Sequence, residues 1–198
     1  MSPFKTAVNT AMLRLADDPR TIFVGQSVVY DGAAIHESLH GIPMEKRLEM
    51  PVIEDFQVGF CLGLALMDRL PICIFPRFDF LLLAANQIVN HLDKAPLFGW
   101  NPKMIIRTTV GQKMPLDAGP QHTQNYTLAF KAMLYSVTVL EVRSPKEVTE
   151  GYEFALHSPY PSLIVENPVE IKSVSRSGHE IGWTDDRNGS DVAWSGFS

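Results

Sequence analysis

Glu54 and Asp55 are the first residues that raise a chemical question. In PVIEDFQVGFCLGLALM (residues 51–67) they stand between a short apolar stretch and a long one. A helix start accounts for one acid, because a carboxylate beside the unpaired amides of a first turn stabilises it by about 0.3–1 kcal/mol. Asp55 suits that role. A second acid beside Pro51, Val52 and Ile53 is left unexplained, and a partly buried Glu at the carboxyl end of a strand is a common starting point for proton transfer. HESLH (residues 36–40) matches H-E-x-x-H, in which His36 and His40 would hold zinc and Glu37 polarise water. Gly41 and Pro43 follow at once and leave little helix for them. A zinc hydrolase is therefore a distant alternative to a locally hydrogen-bonded pair of histidines. His122 lies in TTVGQKMPLDAGPQHTQ (residues 108–124), a loop with two glycines and two prolines that follows an apolar run. The phosphate-binding, hydrolase and dinucleotide patterns G-x-x-x-x-G-K-[ST], G-x-S-x-G and G-x-G-x-x-G are absent.

The elements that must position these residues alternate regularly. Val8, Ala11, Met12 and Leu15 recur at spacings of three and four, which predicts a helix ending near Pro19. TIFVG then reads as a buried strand stopped by Gly25. A strand near LEMPVI, a helix over about 55–67, the strand PICIF and a helix over about 79–94 follow. After them come a strand in KMIIRTTV, a helix after His122, a strand in SVTVLEV, a helix after Ser144 and a strand in SLIVEN. Apolar strands each followed by a helical period predict a single three-layer α/β/α domain with a mainly parallel sheet. In such a domain ligands bind beyond the carboxyl ends of the strands, where the 108–124 loop and Glu54 belong. GQSVVYDGAAIHESLHGIPMEK, rich in turn formers, predicts loops with a short helix. The domain is expected over residues 1–172. Residues 173–198, rich in Ser, Gly and Asp, are expected to be an extended or partly disordered tail in which Trp183, Trp194 and Phe197 are the apolar exceptions.

Composition narrows the classes. Of 198 residues, 45% are hydrophobic and 20% charged, which suits one soluble core. The net charge of −5 and the scattered distribution of the 17 basic residues argue against nucleic acid as a partner. No stretch approaches the roughly 18 apolar residues of a membrane span, and the N-terminus has no basic segment ahead of an apolar run. A cytoplasmic protein is expected. Cys61 and Cys73 sit within apolar segments, which suits buried thiols rather than a disulfide framework or a metal cluster.

MPVIEDFQVGFCLGLALMDRLPICIFPRFDFLLLAANQIVN, followed by MIIRT, GPQHTQ and PSLIVEN, resembles the pyrimidine-binding domain of thiamine-diphosphate enzymes. Within that group the chain is most similar to the beta subunit of the decarboxylating component of 2-oxo acid dehydrogenase complexes, in the transketolase-like superfamily. The resemblance covers roughly residues 5–170 in consistent order. It implies that Glu54 hydrogen-bonds N1′ of the cofactor aminopyrimidine and promotes its imino tautomer. It also implies that Phe80 stacks on that ring, with Phe78 the nearby fallback, and that His122 faces substrate. The substrate it implies is a 2-oxo acid or a ketose.

Departures from the pattern set further expectations. Relatives often have an acidic residue after the first strand's glycine, where this chain has Gln26 and Ser27 after Gly25. Around HSPYPS, Ser158, Pro159 and Tyr160 stand where relatives place residues near a structural cation, so no such ion is expected. Relatives hold Mg²⁺ and the diphosphate through a G-D-G…N motif on a separate domain, and this sequence lacks it. An anionic diphosphate needs that electrostatic anchor. The chain is therefore expected to be half an active site, inactive alone, completed by a diphosphate-binding alpha-like subunit that carries Mg²⁺ in a heterotetramer. Gln26 and a polar tail where relatives continue into a further domain support a rival expectation, a catalytically inactive binding or regulatory module with the same fold.

Overall fold

Ser2 opens the first helix: its hydroxyl accepts from the Lys5 amide at 3.4 Å, and Pro3 takes the first turn, where a missing N–H costs nothing. Helix α1 (Pro3–Ala16) buries Val8, Ala11, Met12 and Leu15, the four residues that the spacing selects. The computed structural model describes residues 2–112 and 119–168. The expected tail, with Trp183, Trp194 and Phe197, and the centre of the 108–124 loop lie outside the described residues.

Six strands form one parallel sheet, in the order β2-β1-β3-β4-β6-β5. They are β1 (Thr21–Gly25), β2 (Arg47–Glu49), β3 (Leu70–Phe75), β4 (Ile105–Thr109), β5 (Thr138–Val142) and β6 (Ser162–Glu166). Strand alternation sends Phe23, Ile72, Ile74, Ile105 and Ile164 to one face, under α1, α2 (Ala34–Ser38) and α6 (Pro145–His157). Val24, Cys73, Phe75, Ile106, Leu163 and Val165 go to the other face. There they pack on α3 (Glu54–Leu66), α4 (Phe78–Leu81), the turns that follow it and α5 (Thr127–Met133). Two apolar layers on one sheet make the expected α/β/α sandwich, and the interior strands β3 and β6 are buried along their whole length.

Several details differ from the expectations. LEMPVI supplies only Leu48 and Glu49 to the three-residue β2, which starts at Arg47, and Val52 and Ile53 are exposed. The helix expected over 79–94 is broken into α4, a 3₁₀ turn at Leu82–Ala84 and a π turn at Gln87–Leu92. Asp55 does not cap α3: the N-cap position is Ile53, without a side-chain bond, and Glu54 and Asp55 both lie in the first turn. Asp55 instead accepts from the Gln87 amide at 3.2 Å. Among the described residues, no helix is long and apolar enough to cross a membrane.

Candidate active site

The carboxyl edge of the parallel sheet gathers the candidate residues. β1 leads to Gln26, β2 towards Glu54, β3 to Arg77 and Phe80, and β4 to Gly111. The chain runs from β1 outward to β2, then crosses to β3 on the other side of β1, so the β1–β3 gap is a topological switch point, the place where open parallel sheets bind ligands beyond their carboxyl ends. Gly25 closes β1 there because a Cβ would collide with the Ile74 carbonyl of β3.

Glu54 is the first residue of α3 and only 6% exposed. Its Oε1 accepts from Gln26 Nε2 at 3.3 Å, so Gln26 supplies it with an amide donor. The residues around it are unlike it: Val52 is 74%, Ile53 52% and Phe56 53% exposed. A buried acid is thus bordered by apolar side chains that the described chain leaves uncovered.

Phe80 and His122 meet directly. Their rings stand edge to face, 5.4 Å between centroids and 88° between planes. His122 is half-buried, and its Nδ1, out of contact with solvent, has no hydrogen-bond partner. Its backbone N–H donates to the Gly119 carbonyl at 3.1 Å. Gly111 must be glycine for this arrangement, since a Cβ there would strike the His122 carbonyl oxygen. Phe78 is placed differently. It is fully buried, edge-on to Tyr126 and tilted against Phe130, and presents no face to a flat ligand.

A cavity of about 620 Å³ opens beside Phe80 and His122 and extends under α1 and α2. Glu54 and Phe78 are not in its wall. Its floor is a polar cluster that the sequence reading missed. Arg107 of β4 meets Glu166 of β6 through two bonds, Nε to Oε1 at 2.8 Å and Nη2 to Oε2 at 3.1 Å. Nη1 donates to Ser38 Oγ at 2.8 Å, and the Tyr152 hydroxyl donates to Glu166 Oε1 at 2.7 Å. Arg107 is 2% and Glu166 3% exposed. Burial works against the Arg107 charge, yet the adjacent Glu166 carboxylate outweighs it and raises the guanidinium pKa. Burial, reinforced by Glu166, pushes the Tyr152 phenol well above its ordinary range and keeps it a neutral donor. The only trace of this cluster in the sequence is an arginine inside the apolar run MIIRT.

Two further acids hold loops in place. Glu49 accepts from the consecutive amides of Ser27, Val28 and Val29 at 2.6–3.0 Å and fixes the turn after Gln26, where Ser27 has a positive φ of 60°. Asp93 accepts from the amides of Tyr135, Ser136 and Val137 at 2.7–3.0 Å. The H-E-x-x-H pattern is not realised as a zinc site. α2 ends at Ser38, before His40, and His36 Nδ1 lies 3.2 Å from Asp31. Among the described residues, no three His, Cys, Asp or Glu side chains cluster as metal ligands.

No family model matches the chain. Its sequence is 28% identical over 173 residues to the beta subunit of the mitochondrial pyruvate dehydrogenase E1 component of Chaetomium thermophilum, covering 83% of this chain and 44% of that protein. The corresponding subunit of Caenorhabditis elegans is 28% identical over 184 residues, covering 89% and 51%. The chain therefore spans about half the length of the curated relatives it matches. In structure it superposes on a split-gene transketolase, solved as an inactive beta4 tetramer, with a TM-score of 0.62 at 17% identity over 81% of this chain and 49% of that one. Transketolase from Campylobacter jejuni gives 0.64 at 17% identity over 82% and 25%. Sequence and fold agree: the chain is similar to the pyruvate dehydrogenase E1 beta subunits over about half their length, and it has the parallel α/β fold seen in the transketolase structures.

Proposed function

We propose that this chain is the pyrimidine-binding, beta-like subunit of a split thiamine-diphosphate enzyme acting on a 2-oxo acid or a ketose. The observation that carries the reading is Glu54: a buried carboxylate at the sheet's carboxyl edge, hydrogen-bonded to Gln26 and bordered by exposed Val52, Ile53 and Phe56. Exposed apolar side chains in a cluster mark a surface made to be covered. The residues present fit the aminopyrimidine end of the cofactor. Glu54 can share a proton with a ring nitrogen, half-buried Phe80 offers a ring to stack on, and the unpartnered Nδ1 of His122 awaits a polar group. Bound thiamine diphosphate supplies a nucleophilic carbon and a sink for electrons.

In this assignment Glu54 holds and moves the proton at the aminopyrimidine. His122 donates to or accepts from the reacting oxygen of substrate, and Phe80 fixes the ring plane against which both act. The diphosphate and Mg²⁺ fall to an alpha-like partner, because the sequence offers no G-D-G…N motif for them. A heterotetramer of two such pairs would cover the apolar surface around Glu54. The name borne by the pyruvate dehydrogenase relatives supports a 2-oxo acid as substrate.

The test is reconstitution. The purified chain, mixed with a diphosphate-binding partner, thiamine diphosphate and Mg²⁺, is expected to decarboxylate a 2-oxo acid with reduction of a dye. Glu54→Gln should lower that rate by about 100-fold or more while the mass of the assembled complex stays the same. Full activity of Glu54→Gln would show the mechanism to be wrong. Assembly without any turnover would favour the inactive regulatory module, the reading that Gln26 supports by replacing the family's acid.

A further inference from the structure

The cavity beside Phe80 and His122 is lined by three basic side chains, Lys5, Arg77 and Arg107, and by two acidic ones, Glu37 and Glu166. Their pairing is uneven. Arg107 and Glu166 neutralise each other through two bonds, and Glu37 and Lys5 are exposed on α2 and α1. Arg77 is half-buried, and among the described residues it forms no ion pair. Its hydrogen bond runs from Nη1 to the carbonyl of its own neighbour Pro76, at 2.8 Å. A guanidinium carries five N–H donors in a planar fork shaped for a carboxylate, and a partly desolvated one without an anion is an incomplete interaction.

Its position says what would complete it. Arg77 lies two residues beyond the end of β3 and three before Phe80. Its stem passes Gly111, where an added Cβ would lie 3.5 Å from Arg77 Cδ and against the backbone of His122. Phe80, His122 and Arg77 therefore converge on one part of the cavity wall. We propose that Arg77 is the specificity-determining residue that binds the carboxylate of a 2-oxo acid beside His122. This rests on the functional reading above, which places substrate at His122. In a 2-oxo acid the carboxylate is one bond from the reacting carbonyl, so one small molecule reaches Arg77 and His122 together. The phosphoryl group of a ketose phosphate is several carbons from its carbonyl and fits that compact pair poorly.

The experiment uses the full chain with isotope-labelled histidine and follows the His122 ring signals by NMR, identified by their loss in His122→Asn. Titration with pyruvate is expected to shift them saturably. Arg77→Gln should weaken that binding by at least about tenfold, the loss typical of a hydrogen-bonded charged partner. Arg77→Lys, which keeps the charge and loses the fork, should fall between the two. Inorganic phosphate and fructose 6-phosphate should compete weakly. Equal pyruvate affinity in Arg77→Gln, no pyruvate-induced shift in the parent chain, or tighter Arg77-dependent binding of fructose 6-phosphate would each overturn the assignment. In the reconstituted enzyme Arg77→Gln should raise KM for the 2-oxo acid more than it lowers kcat, as loss of substrate binding does. Glu54→Gln separates the two readings, since it should abolish turnover and leave pyruvate binding by the chain intact.

Discussion

Replacing Glu166 by Gln tests the cavity floor and, with it, the physical account of the sheet edge. Glu166 is 3% exposed and Arg107 2%, so neither charge has water to fall back on. The substitution keeps the size and one acceptor oxygen. It sets an amide NH₂ where a carboxylate oxygen now accepts from Arg107 at 2.8 or 3.1 Å, and it leaves a guanidinium charge buried without a counter-ion. Breaking one side of a buried pair costs about 3–5 kcal/mol, set against total stabilities of about 5–15 kcal/mol. For a chain of this size each kcal/mol moves Tm by about 2–4 °C, so a fall of roughly 6–20 °C is expected. Thermal and urea unfolding followed by circular dichroism will measure it. The double variant Arg107→Met with Glu166→Leu removes both charges and should be less destabilised than Glu166→Gln, although Tyr152 loses its acceptor. A shift below about 2 °C for Glu166→Gln, or a double variant worse than the single one, would refute the claim that an uncompensated buried charge sets the cost.

Two more predictions follow from the same geometry. Gly111→Ala should displace the His122 segment, because the new Cβ meets the His122 carbonyl; a destabilisation of about 1–3 kcal/mol and changed Phe80 and His122 ring signals are expected, and an unaltered spectrum would count against the packing. Acid should also weaken the fold through Asp18 and Glu141. Hydrogen bonds from Arg20 lower the Asp18 pKa below its ordinary 3.8. Burial pushes Glu141 up, but donation from Asn167, Arg143 and Asn125 prevails and holds it below 4.5. Both folded values lie below the unfolded ones, so this stabilisation is complete above the unfolded values and disappears as pH falls through the folded ones. The urea midpoint should therefore hold from neutral pH to about 5 and decline below, with a shallower decline in Glu141→Gln.

How much of this could be read from the chain depended on the distance between partners. α1 was legible because every signal is local: Ser2, Pro3 and four buried residues at spacings of three and four. The interior strands were legible because a parallel sheet covered on both faces needs nearly uninterrupted apolar runs, whereas edge strand β2, half-exposed, starts at Arg47, ahead of the apolar stretch that marked it. The 78–92 segment was only half legible. Leu81, Ala84, Ile88 and Leu92 are buried and recur at helical intervals, but that recurrence does not tell α from 3₁₀ or π turns, which differ in which carbonyl each amide reaches. The acids Glu49 and Asp93 gave no sign, because the amides that hold them lie 20–22 and 42–44 residues away. Arg107 and Glu166, 59 apart, are joined only by the β4–β6 pairing.

Glu54 and Asp55 show the same limit at the candidate site itself. Consecutive helical residues point about 100° apart, so the first turn of α3 can turn only one of the two acids towards the carboxyl end of β1. Local pattern assigns Asp55 to the helix end, but no side chain caps α3; Asp55 instead accepts from Gln87 of the π turn, an element that periodicity does not distinguish from α-helix. Glu54 is the acid left facing Gln26, one residue beyond β1 at the switch point. The division of roles between the acids therefore comes from two amides on different loops, and its chemical consequence depends on what covers Val52, Ile53 and Phe56. As long as these apolar neighbours face water, Glu54 sits at the edge of a wet surface. A partner that buries them would dry the carboxylate's surroundings and strengthen every hydrogen bond it makes.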